Sequence, residues 1–120
     1  MKLIIQKRFK NLLLDIIKTS SQFPKTDEYQ IIRKQVIRSS SSSAANYRAA
    51  CRAKSTRDFI HKLKIVEEEI DETNFWLEIL VAMEHKKFDL SQSIEESKEL
   101  LAITVSSLKT VKSNYQKNKS

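Results

Sequence analysis

The sequence predicts an all-α protein, built as one up-down-up-down antiparallel four-helix bundle that includes residues 1–120. The chain contains no glycine and one proline, so the hairpin turns and bulges of a multi-stranded sheet are hard to build. Apolar residues recur at intervals of three and four along most of its length, which is the helical period. The length of 120 residues suits one domain with one core. Four amphipathic segments with short connections favour antiparallel neighbours.

The first helix is predicted over about residues 7–22. Its apolar positions follow the i, i+3, i+4, i+7, i+8 pattern of one helical face, and they are Phe9, Leu12, Leu13, Ile16 and Ile17. The helix should end before Pro24, because the residue before a proline is disfavoured in the α region.

The second helix is predicted over about residues 27–53, with Thr26 or Asp27 as its cap. Five consecutive serines, residues 39–43, have the composition of a linker. The helical phase nevertheless continues through them, which favours one helix whose small core-side residues let a neighbour approach closely. The positions that carry this phase are Tyr29, Ile32, Val36, Ser40, Ser43, Tyr47 and Ala50.

The third and fourth helices carry heptad patterns typical of bundle seams. The third, predicted over about residues 55–83, has Phe59, Leu63, Val66, Ile70, Thr73, Leu77 and Leu80 in phase. A turn over His85–Phe88 should follow. The fourth, predicted over about residues 90–115, has Ile94, Leu101, Leu108 and Tyr115 seven residues apart, and residues 117–120 are expected to fray.

Composition argues against several classes of protein. Cys51 is the only cysteine, so no intrachain disulfide or cysteine-based zinc cluster can form, which fits the cytoplasm. The apolar patch at the start is too short for a signal peptide, and no apolar run is long enough to span a membrane. A chain without glycine has no Gly-rich phosphate loop.

Few residues have the spacing of a catalytic or metal site. Asp58 and His61 have helical ligand spacing, but di-metal bundles need two such pairs and two further carboxylates. The dense carboxylates at residues 67–72 point in different directions on a helix. We therefore predict no catalytic residue, no metal and no cofactor, and expect that the protein is not an enzyme.

The net charge of +7 is unevenly distributed. Residues 1–54 hold 12 Lys/Arg against 3 Asp/Glu, whereas residues 55–90 hold 5 against 9. The second helix shows a cationic stripe opposite its core side, formed by Lys34, Arg38, Ser41, Ala45, Arg48 and Arg52. Such a stripe suits phosphate or carboxylate ligands, pairing with the acidic third helix of a neighbour, or simple solvation.

Phe75 and Trp76 flank the apolar stripe of the third helix. Both side chains cannot face the core unless its apolar stripe is wide. We therefore expect either a wide core stripe or one aromatic residue on a surface that contacts a partner.

A long motif in the middle of the chain resembles a known family. Its most specific parts are Ala45-Asn46-Tyr47-Arg48-Ala49-Ala50-Cys51-Arg52-Ala53-Lys54-Ser55, Val66-Glu67-Glu68-Glu69-x-Asp71-Glu72 and Phe75-Trp76-Leu77-Glu78. The chain is similar, from about residue 7 to 115, to the bacterial "four helix bundle protein" family, also called 23S rRNA-intervening sequence proteins. The sequence departs from that pattern at residues 42–44, where relatives often have glycine.

The resemblance implies a four-helix bundle that assembles as a homopentamer and carries a positively charged surface. A related branch serves as the accessory protein of diversity-generating retroelements, which is thought to bind nucleic acid and a reverse transcriptase. The positions that match the motif are Arg38, Asn46, Arg48, Arg52, Lys54, Ser55, Glu68, Glu72 and Trp76.

Two functions remain open at this point. The first is a non-enzymatic oligomer that binds RNA or structured DNA through Lys34, Arg38, Arg48, Arg52 and Lys54. The second is a structural or adaptor homo-oligomer with a protein partner, in which the arginines form intersubunit ion pairs. The predicted oligomer interface contains Glu68, Glu72 and Trp76.

Overall fold

The computed structural model describes residues 1–83 and 87–119, and all of its regular structure is helical. The four helices are α1 (Lys2–Ser20), α2 (Asp27–Cys51), α3 (Thr56–Ala82) and α4 (Ser91–Lys119). The all-α prediction is confirmed. Helix α1 begins five residues earlier than expected and α4 continues into the tail that was expected to fray. The predicted turn at His85–Phe88 lies partly outside the described residues.

The helices form an elongated bundle with principal extents of 55 × 23 × 22 Å. Helix α2 packs against α1 and α3, and α4 packs against α3 and closes onto α1. The antiparallel arrangement is visible where α1 meets α2. Phe9 stacks on Tyr47 near one end, and Ser20 contacts Arg33 near the other. This confirms the predicted up-down-up-down bundle.

The core runs along the whole bundle and contains most of the apolar positions that the periodicity selects in α1, α2 and α3. In α4, Leu108 is buried as predicted, but Ile94 and Leu101 are only partly buried, and Leu100, which the predicted heptad does not include, is fully buried. The fully buried large side chains of the core are Phe9, Leu12, Ile16, Val36, Leu63, Val66, Ile70, Leu77, Leu80 and Leu100. Ile5 is also buried, which explains why α1 begins so early: its apolar face extends one turn before Phe9.

The serine run lies inside α2 without interrupting it. Ser39, Ser40 and Ser43 are at most 1% exposed, and Ala44 packs partly buried against the core. The hydroxyl groups of these three serines donate hydrogen bonds to backbone carbonyls one turn earlier, such as Ser43 Oγ to Ser40 O at 2.8 Å. Thr73 Oγ1 of α3 also contacts Ser39 Oγ at 2.9 Å. Ser39 therefore places a small side chain at the contact of α2 with α3.

Two helix starts have side-chain caps. Ser55 Oγ accepts a hydrogen bond from Asp58 N at 3.0 Å, as its position before α3 predicts. Asp89 accepts one from Ser91 N at the start of α4, and this bond lowers the pKa of the Asp89 carboxyl. Thr26 occupies the N-cap position of α2, but its side chain makes no cap hydrogen bond. Within the described residues, no helix has the length and hydropathy needed to cross a membrane.

Candidate functional site

The outer seam between α1 and α2 forms a basic cleft with a volume of about 530 Å³. Four cationic side chains line it, two from each helix: Lys7, Lys10, Arg48 and Arg52. All four residues are exposed. The other lining residues are neutral, namely Leu3, Gln6, Leu13, Ser41, Ala44 and Ala45. We call this feature the basic cleft. It holds four positive charges and none of its lining residues is a carboxylate.

The local sequence explains why these cations converge. On α1, Lys7 and Lys10 are three residues apart, and on α2, Arg48 and Arg52 are four apart, so each pair lies on one face of its helix. Because α1 and α2 are antiparallel, the first half of α1 lies beside the last half of α2, as the stacking of Phe9 on Tyr47 shows. The two cation pairs are therefore brought to the same end of the seam.

The arginines of the basic cleft were predicted from the sequence, but its two lysines were not. Lys7 and Lys10 lie on the outer side of α1, a placement that a helical projection of the predicted helix over residues 7–22 already gives. The sequence alone does not show which helix lies beside Arg48 and Arg52. That depends on the packing of α1 against α2.

Lys34 and Lys54, the two lysines that were predicted from the sequence to bind nucleic acid, lie outside the basic cleft. Lys34 is exposed on α2, about 21 Å along the helix from Arg48 at 1.5 Å per residue. Lys54 follows the end of α2 and lines a separate cleft of about 390 Å³ with Lys2, Cys51 and Phe59. The structure therefore separates these two lysines from the arginine pair.

Arg38 lies on the other edge of the cationic stripe, where α2 meets α3. Its guanidinium bonds to Glu69 at 2.9 Å and to Glu72, and it also donates to Gln35. Trp76 Nε1 donates to the same Glu72 carboxylate at 3.1 Å. Desolvation by burial lowers the pKa of Arg38, but the hydrogen bonds to the two carboxylates outweigh it and leave that pKa raised. Arg38, Glu72 and Trp76 thus form a cluster within one chain.

Arg8 joins α1 to α4 through a second ion-pair cluster, which was not predicted from the sequence. Its Nη2 lies 2.5 Å from Glu96 Oε1 and 2.9 Å from Glu99 Oε1. The hydrogen bonds to Glu96 and Glu99 raise the pKa of Arg8. The cluster holds the first half of α1, and with it Lys7 and Lys10, against the bundle.

The outward face of α3 carries the remaining predicted interface residues. Glu68 is exposed, and Phe75 is half-exposed with its ring edge-on to Trp76 at a centroid distance of 5.0 Å. Three further carboxylates lie on this face or beside it, Glu67, Asp71 and Glu78. The face is both acidic and aromatic. Trp76 itself is only partly buried against the core, so its ring contributes to both the core and the surface.

Other candidate chemistry is sparse in the part of the chain that the structure describes. No group of three metal-ligating side chains is found among those residues. His61 is exposed, and Cys51 is half-buried beside Tyr47. Burial, with a smaller effect of Cys51, raises the pKa of Tyr47 to about 12.

Comparisons with known proteins agree with the fold and the motif. The family model of the 23S rRNA-intervening sequence protein matches residues 1–107. A crystal structure of a protein of unknown function from the S23 ribosomal protein family of Bacteroides thetaiotaomicron VPI-5482 is 29% identical, with a TM-score of 0.80, and the match covers 91% of this chain and 99% of that one. None of the curated proteins compared with the chain matches it significantly. The chain therefore belongs to the family of 23S rRNA-intervening sequence proteins.

Proposed function

We propose that this protein binds nucleic acid through the basic cleft, as a non-enzymatic homo-oligomer in the cytoplasm. One observation carries the proposal: Lys7, Lys10, Arg48 and Arg52 converge from two helices, and no lining residue is a carboxylate. Clustered cations on one face are the electrostatic footprint of a nucleic-acid-binding protein. The role needs no catalytic residue, metal or cofactor.

Binding would be driven by phosphate contacts and by the release of counterions from the nucleic acid. Arginine presents a planar fork that can hold two phosphate oxygens, whereas lysine acts as a point charge. Four contacts give a slope of log K against log salt of about −3.6. Raising the salt from 50 to 200 mM should therefore weaken binding about 150-fold.

The test is fluorescence anisotropy with labelled RNA and duplex DNA across a salt series. The double variant Arg48→Ala/Arg52→Ala should bind about tenfold more weakly at moderate salt, and its salt slope should be shallower by about 1.8. The matched control is Arg57→Ala/Lys64→Ala, which removes the same charge from exposed positions of α3. No binding to either ligand at 50 mM salt, or an equal effect of both variants, would overturn the proposal.

A second candidate function is a structural or adaptor oligomer that binds a protein. The half-exposed Phe75 beside Trp76, on a face that also carries Glu68, favours it. In this alternative, Arg48 and Arg52 pair with carboxylates of a neighbouring subunit. Light scattering separates the two functions, because the Arg48→Ala/Arg52→Ala variant would then dissociate, whereas a cleft that contacts phosphates leaves the oligomer mass unchanged.

A further inference from the structure

We infer that the basic cleft binds a double-stranded nucleic acid through its sugar-phosphate backbone, without reading the bases. The inference rests on the proposed function and adds to it the class of nucleic acid that the cleft prefers. Three properties of the α1–α2 face carry it: its aromatic content, its width, and the length of its cationic row.

The α1–α2 face offers no surface on which bases could stack. Helices α1 and α2 contain three aromatic residues, and all are buried: Phe9 is 1% exposed, Tyr29 7% and Tyr47 6%. Phe9 and Tyr47 stack on each other inside the core at 5.0 Å. The half-exposed Phe75 lies on α3. Proteins that bind single strands gain roughly tenfold in affinity for each base stacked on an aromatic side chain. This cleft can give a single strand phosphate contacts alone.

The α1–α2 face is also too wide to enter a groove and reach base edges. Packed helices have axes about 8–10 Å apart, and each has a diameter of about 10–12 Å with its side chains, so the pair is about 20 Å across. The major groove of B-DNA is about 12 Å wide, and that of A-form RNA is deep and narrow. On B-DNA the face must therefore rest on the outer backbone ridges, and on A-form RNA it can lie across the wide, shallow minor groove, where duplexes are contacted mostly through phosphates and 2′-hydroxyls.

The cations of the α1–α2 face continue beyond the basic cleft to Lys34, and together they cover a length that suits a short duplex. From Lys34 to Arg52, α2 advances about 27 Å, which corresponds to about eight base-pair steps of 3.4 Å. The exposed Lys18 of α1 extends the row at the Lys34 end, because Ser20, two residues later, accepts a hydrogen bond from Arg33. A duplex presents one phosphate per 1.7 Å of axis and a single strand one per 3.4 Å. Because no base stacking favours the single strand, the higher charge density of the duplex should give it the higher affinity.

The experiment compares a labelled 16-base-pair duplex with each of its two unstructured strands, by anisotropy at 100 mM salt, in DNA and RNA versions. The duplex should bind at least tenfold more tightly than either strand, and a duplex of scrambled sequence should bind within twofold of the first. Equal affinities for DNA and RNA duplexes indicate contacts to phosphates alone, and a preference for one identifies the biological source of the backbone. Equal or tighter binding of a single strand, or a tenfold sequence preference, overturns the inference.

A gain-of-function variant tests the reason for the preference. Ala45 is an exposed residue of the cleft wall, and Ala45→Tyr would supply the missing stacking surface. We expect this variant to bind single strands about tenfold more tightly, with duplex affinity changed less than twofold. An unchanged single-strand affinity would contradict the stacking argument. Failure of the wild-type protein to bind any of these ligands would instead overturn the proposed function itself.

Discussion

Replacing Ser43 with leucine tests whether the serine run of α2 exists to keep a neighbouring helix close. Ser43 is 1% exposed, and its hydroxyl bonds only to Ser40 O of its own helix, at 2.8 Å. A leucine side chain needs volume that a small, fully buried position does not provide. Overpacking of this kind costs about 1–3 kcal/mol. In the matched control, Ser43→Ala, the side chain stays small, loses one local hydrogen bond and gains helix propensity, so stability should change by less than about 0.5 kcal/mol.

Thermal unfolding followed by circular dichroism at 222 nm measures both variants. A chain of 120 residues has an unfolding entropy of about 250 cal/mol/K at the midpoint, so 1 kcal/mol corresponds to about 4 °C in Tm. Ser43→Leu should therefore lower Tm by about 4–12 °C, and Ser43→Ala should change it by at most about 2 °C. A leucine variant as stable as the wild type would refute the packing argument. An alanine variant destabilised by about 1 kcal/mol or more would show that the hydroxyl itself is needed.

Three further predictions concern the charged and titrating groups. Arg38→Met should lower the free energy of unfolding in urea by about 1 kcal/mol or less, because the Arg38 side chain is 48% exposed. The same variant should change nucleic-acid affinity less than twofold. A tenfold loss of binding would contradict the intrachain role of Arg38. The pKa of Tyr47 is about 12 in the folded protein and about 10 when unfolded, so stability should fall between pH 10 and 12, by about 2–3 kcal/mol in total. Tyr47→Phe should remove this part of the pH dependence in urea unfolding, and identical pH slopes would contradict it. Arg8→Met should raise the amide hydrogen-exchange rates of α1 more than those of α2 and α3. A uniform increase in all helices would show that the ion pair with Glu96 does not hold α1 locally.

The helical periodicity predicted the fold because most core positions of α1, α2 and α3 follow it, although in α4 the fully buried Leu100 lies outside the predicted heptad. The helix ends were less accessible, and α1 illustrates the reason. Leu3 and Ile4 are apolar but 78% and 62% exposed, while Ile5 beside them is buried. Three consecutive apolar residues carry no phase of their own, so the pattern became readable only from Phe9 onward. Packing of Ile5 against the bundle, which is a tertiary contact, extends the helix to Lys2.

Only the α2 half of the basic cleft could be predicted from the sequence, because the α1 half depends on tertiary packing. A helical projection of α2 places Arg48 and Arg52 opposite its core, and the structure finds both exposed in the basic cleft. Lys7 and Lys10 belong to a helix more than thirty residues earlier, and only the order of helices around the bundle brings them there. Whether the predicted residues bind nucleic acid or a neighbouring subunit stays a prediction for the experiments above.

The cationic stripe of α2 divides into two parts because its two edges face different helices, α3 on one side and α1 on the other. Arg38 and Arg48 are ten residues apart, so their side chains leave the helix about 80° apart. That angle turns Arg38 toward α3, where Glu69 and Glu72 neutralise it, and leaves Arg48 beside the lysines of α1. The α2–α3 seam thus offers a polyanion no excess of positive charge, and the acidic outer face of α3 would repel it. In the proposed function, a nucleic acid would therefore be directed to the α1–α2 face, by repulsion from α3 as much as by attraction to the basic cleft.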